Sequence, residues 1–242
     1  MSQIVRKSLS YKAGEVDMLG TLYTGAVTPK AAILIFPEAP GPGQNVHSRA
    51  ERLAQLGYAV IVADLHGGGQ RLTDPGETMA RLEKLRGNAK ITRERARAAY
   101  ETALQATGVK PKQLAAIGFC FGGTMGLELA RDGVELGAVV GFHSGLAPLA
   151  EPAGEKRTTP VLVFIGADDP SIPLPVRNAF EAEMTASKTD WTIELYGHTI
   201  HSFTDVDADK MGRPEFARYS PEADAASWSA MLNLFRRTID LS

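Results

Sequence analysis

Apolar residues along this chain fall into short, dense runs separated by longer amphipathic stretches. Ala31 to Phe36, Ala59 to Ala63, Leu114 to Ile117, Ala138 to Phe142, Val161 to Ile165 and Thr192 to Leu195 each have the length and β-branched or aromatic content of a strand. Two alternating segments before residue 25 predict an N-terminal hairpin or edge strands. Between the runs, Asn45 to Leu56, Glu77 to Leu85, Arg93 to Ala106 and Thr124 to Ala130 read as helices, with a last amphipathic helix from about Pro221 to Ile239. Asn45 is a plausible helix cap and Gly57 a stop. Strands that are apolar throughout and separated by helices imply a largely parallel sheet covered by helices on both faces. In such sheets the chemistry gathers at the carboxyl ends of the strands.

Composition narrows the picture. With 242 residues, one α/β domain spanning residues 1–242 is expected, and such a chain can bury a large core. A net charge of −2 argues against nucleic acid or an anionic membrane as the main partner. The single cysteine rules out an internal disulfide framework and suits a reducing cytoplasm. The start, Met1-Ser2-Gln3-Ile4-Val5-Arg6-Lys7, lacks an apolar signal core, so a cytoplasmic protein is expected.

That cysteine lies in Ile117-Gly118-Phe119-Cys120-Phe121-Gly122-Gly123, a strand-turn-helix junction with the form of a nucleophile elbow. The turn must place residue 120 in a strained backbone conformation, and the close approach of its flanks calls for Gly118 and Gly122. The blander alternative is a buried cysteine acting as a small hydrophobe. Later strand ends offer partners: Asp168-Asp169 after Val161 to Ile165, and His198 with His201 after Thr192 to Leu195. Nucleophile, acid, histidine is the chain order of α/β-hydrolase triads. Asp169, further from the strand, and His201, deeper in its loop, are the favoured pair. Asp168 and His198 read as turn residues.

Four motifs together resemble the dienelactone hydrolase family, carboxymethylenebutenolidase-like α/β-hydrolases. They are Gly118-Phe119-Cys120-Phe121-Gly122-Gly123, Asp169 between Gly166 and Pro173, His201-Ser202-Phe203, and Pro37-Glu38-Ala39 after the first core strand. The likeness runs from about Ala31 to the final helix. It implies an α/β-hydrolase fold and cleavage of a small-molecule ester or lactone through Cys120, His201 and Asp169, by way of an acyl-cysteine and with neither cofactor nor metal. It also implies that Glu38 holds the resting cysteine as a neutral thiol and accepts its proton when substrate binds. The backbone N–H groups of Ala39 and Phe121 would form the oxyanion hole.

One departure from that pattern matters. The family's lactonases hold a substrate carboxylate with arginines, one soon after His-Ser-Phe, where this chain has Thr204-Asp205-Val206. Arg81, Arg213 and Arg218 are the candidate substitutes. Neutral small esters or lactones are therefore expected to be turned over at least as well as carboxylate-bearing ones.

Other signals are weaker. His66-Gly67-Gly68-Gly69 follows the second core strand and reads as a flexible loop near the site entrance. Gly41-Pro42-Gly43 lacks the third glycine of a dinucleotide fingerprint, since Val46 stands there. Asp205-Val206-Asp207-Ala208-Asp209 has Lys210 where a calcium loop needs glycine. Trp228 reads as core of the last helix. Two other functional classes stay open: a catalytically idle hydrolase fold that binds a ligand, and a thiol redox sensor, which here would lack a second cysteine to resolve an oxidised thiol.

Overall fold

The computed structural model describes residues 3–150 and 158–240. The N-terminal alternation becomes a hairpin, β1 (Val5–Ala13) and β2 (Val16–Thr24), followed by β3 (Ala32–Phe36), α1 (Gln44–Gln55), β4 (Ala59–Val62), α2 (Pro75–Arg86) and α3 (Ala89–Thr107). Then come β5 (Leu114–Phe119), α4 (Phe121–Arg131), β6 (Ala138–Phe142), β7 (Val161–Gly166), α5 (Leu174–Ala186), β8 (Trp191–Tyr196) and α6 (Pro221–Thr238). One eight-stranded sheet has the order β1-β2-β4-β3-β5-β6-β7-β8. β1 and β2 join antiparallel, and β4, β3 and β5 to β8 run parallel.

Alternation along the strands sends side chains to two cores. Ile33 and Ile35 of β3, with Ala115 and Ile117 of β5, face α1 and α6 and meet Val46, Leu53, Met231 and Phe235. Ala32, Leu34 and Phe36 face the other side, where α2 to α5 supply Leu82, Tyr100, Met125 and Phe180. Both faces are thus covered, which is why the central strands read as unbroken apolar runs.

Two expectations are corrected, and one helix is added. α1 starts from Gly43, so Asn45 lies inside the helix and caps nothing; its amide turns to Glu38. Gly57 does end that helix, with φ of +99°. The segment after His66 is tied rather than loose: the Asp64 carboxylate accepts the N–H groups of Leu19, His66, Gly67 and Gly69 at 2.8–3.0 Å. α5 was not expected from the sequence at all.

The central elements converge so that the loops after β3, β5, β6, β7 and β8 open on one end of the sheet. Among the described residues no helix is long and apolar enough to cross a membrane.

Candidate active site

Cys120 stands between β5 and α4 with φ +55° and ψ −122°, a conformation strained for any residue with a side chain. Close packing leaves no alternative course. A Cβ on Gly118 would collide with the backbone of Gly122 and Gly123, and one on Gly122 with Phe36 and Pro37 of the β3 end. Gly123 is also required, because a Cβ there would overlap Ser144. The elbow is therefore wedged against two neighbouring strand ends.

The loop after β7 brings Asp169 into the interior, 2 % exposed, while Asp168 stays in solvent. Asp169 Oδ2 lies 2.8 Å from His201 Nδ1, and its Oδ1 accepts the Ser171 N–H at 2.9 Å and hydroxyl at 2.5 Å. Burial works to raise this carboxyl's pKa, but the bonds from His201 and Ser171 outweigh it and hold it below the ordinary carboxylate range. The carboxylate therefore stays ionised and keeps the His201 proton on Nδ1.

His201 is buried, whereas His198 is an exposed turn residue with φ +56° whose carbonyl accepts from Arg218 Nη2 at 3.2 Å. With Nδ1 engaged, His201 Nε2 is left buried without a hydrogen-bond partner other than the thiol it faces. Burial alone would depress this imidazole. Cys120 and Asp169 reverse the effect and push its pKa up to about 10. The thiol responds in the opposite sense: burial raises its pKa, but His201 and the Phe121 N–H bring it below the usual value, against a smaller upward push from Glu38. The pair is set toward thiolate and imidazolium.

Glu38 sits in the loop after β3, with Oε1 accepting from Asn45 Nδ2 at 2.6 Å and Oε2 buried without a partner. Burial raises its pKa, and repulsion from Asp205 adds to it. The same loop carries Ala39, whose carbonyl lies 2.7 Å from His66 Nε2 and whose N–H takes no partner among the described residues. The Phe121 N–H points at the Cys120 sulfur. The Phe121 donor thus borders the thiol, while the Ala39 N–H lies in the loop whose start packs against Gly122 of the elbow.

Sequence reading missed several neighbours. His143, at the end of β6, places Nδ1 3.2 Å from the Cys120 N–H and its ring 5.0 Å from that of His201. Phe216 stacks on His201, ring centroids 5.0 Å apart. Only position could have flagged His143, as the polar residue at the carboxyl end of a core strand; nothing in its type or spacing did. For Phe216 the sequence held no signal.

The candidate arginines separate by place. Arg81 pairs with Glu77 at 2.6 Å and lines a cavity of about 330 Å³ between the hairpin and α2 and α3, whose lining does not include Cys120. Arg213 lies over the Phe216 ring at 4.7 Å, so its charge stands one residue from His201. Arg71, which the sequence did not single out, reaches the carbonyl of Gly41 at 3.4 Å and acts on Glu38. Among the described residues no group of three or more His, Cys, Asp or Glu is placed to hold a metal ion.

Known proteins are similar to this chain along most of its length. The model of the dienelactone hydrolase family matches residues 18–239. A putative carboxymethylenebutenolidase of Synechocystis is 26 % identical over 227 residues, 87 % of each chain. A probable 2-oxo-3-(5-oxofuran-2-ylidene)propanoate lactonase of a Bradyrhizobium species is 25 % identical, covering 85 % of this chain and 83 % of its own. Among solved structures, a dienelactone hydrolase-like promiscuous phosphotriesterase, P91 from metagenomic libraries, is 37 % identical, with a TM-score of 0.91 over 97 % of this chain and 98 % of that one.

Proposed function

From the premise that the chain belongs to the dienelactone hydrolase family, we propose that it hydrolyses carboxylic esters or lactones through Cys120, His201 and Asp169, by way of an acyl-cysteine. The observation that carries this is the unfilled Nε2 of a buried histidine, fixed by Asp169 and facing a thiol on a strained elbow. The Cys120 thiolate attacks the substrate carbonyl carbon. The N–H groups of Ala39 and Phe121 receive the oxyanion, a contribution of roughly 3 kcal/mol per donor in hydrolases. As the carbon–oxygen bond breaks, the imidazolium of His201 gives its Nε2 proton to the departing alkoxide. Neutral His201 then takes a proton from water as hydroxide attacks the thioester, and thiolate and carboxylic acid separate. Asp169 stays ionised throughout and stabilises the imidazolium each time it forms.

Glu38 is the second carboxylate of the site. In the reading implied by resemblance it takes the thiol proton on substrate binding. Its raised pKa suits a proton acceptor, while the downward shift at Cys120 favours a thiolate formed before substrate arrives. Asp205 beside Glu38 supports neutral over carboxylate-bearing substrates. The likeness to P91 adds phosphotriesters as a second substrate class, since the same thiolate and donors can meet a neutral phosphorus centre.

The test is a set of paired variants on a panel of neutral and anionic esters and lactones. Cys120→Ala should abolish turnover, His201→Ala should lower kcat by about three orders of magnitude or more, and His198→Ala should leave it near wild type. Asp169→Asn should cost far more than Asp168→Asn. Greater damage from His198→Ala in a folded protein would overturn the assignment.

A further inference from the structure

The nucleophile and the base share one neighbour that the reaction scheme leaves unused. His143 is fully buried at the end of β6, and its φ of +42° is itself strained. Four of the five non-glycine residues with positive φ among the described residues, Cys120, His143, His198 and Ser202, lie just past β5, β6 and β8. Strain of this kind persists only where surrounding contacts hold it.

The protonation of His143 follows from its partners. The Cys120 amide can only donate, and it is shared between Phe142 O at 3.0 Å and His143 Nδ1 at 3.2 Å. Nδ1 must therefore carry a lone pair, which puts the proton on Nε2, 2.9 Å from Thr204 Oγ1. A doubly protonated ring would set a donor against the Cys120 donor. The ring also stands edge to face with that of His201, on which Phe216 stacks as well.

We propose that His143 is a positioning residue, acting through Cys120 and His201: its Nδ1 lone pair fixes the elbow amide, and its ring packs against that of His201. The inference rests on the site reading given above. Burial favours the required neutral ring. So do two cations acting on it, His201 from the loop after β8 and Arg49 from α1, which together keep His143 well below the ordinary histidine range. Arg49 is anchored in turn, with Nη2 donating to Thr204 O at 2.5 Å and to Asp224 Oδ2 at 2.9 Å.

The experiment compares His143→Phe, which keeps a ring but loses both nitrogens, with His143→Asn, which restores an acceptor near Nδ1. Each is measured for kcat and KM on a p-nitrophenyl ester and for the pH midpoint of Cys120 alkylation, with Cys120→Ala alongside. In His143→Phe, kcat should fall tenfold to about a hundredfold, the scale expected of a misplaced reacting group, with KM within about threefold. The alkylation midpoint should rise toward that of a free thiol, and His143→Asn should recover part of both. A residue that merely packs would move thermal stability and leave the alkylation midpoint alone. Wild-type kcat and midpoint in His143→Phe, beside an inactive Cys120→Ala, would overturn this inference while leaving the site reading intact. An active Cys120→Ala would instead sink the site reading and this inference with it. If His143→Phe does not fold, Thr204→Val removes only the Nε2 anchor. It should shift both quantities in the same direction by less, and no shift would overturn the proposal.

Discussion

At Cys120 two effects oppose each other, and their balance decides how the enzyme rests. Burial and the Glu38 carboxylate favour the thiol; the His201 imidazolium and the Phe121 N–H favour the thiolate, and they prevail. An ordinary cysteine titrates near ~8.5, so alkylation of Cys120 by iodoacetamide should have a pH midpoint below that of a free thiol. Because Glu38 pushes the thiol upward, Glu38→Gln should move the midpoint further down, and His201→Ala should move it up. A wild-type thiol silent at pH 7 that reacts only when a substrate analogue is bound would favour the neutral resting thiol gated by Glu38. At this scale the sequence was informative where chemistry and turn geometry coincide. Cys120 in its glycines, Asp169, His201 and Glu38 were legible, and the structure gathers all four. His143, Thr204 and Arg49 were not, because a buried polar residue declares itself only through partners distant in the chain. Arg49 and Thr204 lie 155 positions apart.

Among the elements, β3 to β7 were read to within a residue or two, because burial on both faces makes each an apolar run throughout. α5 escaped notice because only Phe180 and Met184 of its thirteen residues are buried, too few to draw a helical stripe. The join between α1 and α6 was also invisible. Arg49 Nη1 lies 2.8 Å from Asp224 Oδ1, both side chains nearly enclosed at 5 % and 11 % exposure, and Trp228 stacks beneath the guanidinium at 5.5 Å. Removing one partner strands the other charge. Arg49→Met should therefore cost about 3–5 kcal/mol, while Arg49→Met combined with Asp224→Leu should recover most of the loss, because a buried ion pair replaced by apolar groups is often neutral. Urea unfolding measures both. A single variant within about 1 kcal/mol of wild type would show that water or a rearranged side chain supports Asp224.

Over the whole molecule, the strand order explains why residues from positions 38 to 216 meet. β3 and β5 are neighbours, so the Glu38–Ala39 loop borders the elbow; β6, β7 and β8 follow in line, delivering His143, Asp169 and His201 from successive strand ends. The sheet fixes these distances. In the proposed reaction, carbon–sulfur bond formation at Cys120 precedes water attack. The most direct measurement is rapid acid quench during turnover of a chromogenic ester, followed by mass spectrometry of the intact chain and of the peptide spanning Cys120. A transient mass increase equal to the acyl group is expected, located on Cys120 and absent from Cys120→Ala. Steady hydrolysis with no adduct at Cys120, or undiminished hydrolysis by Cys120→Ala, would contradict it.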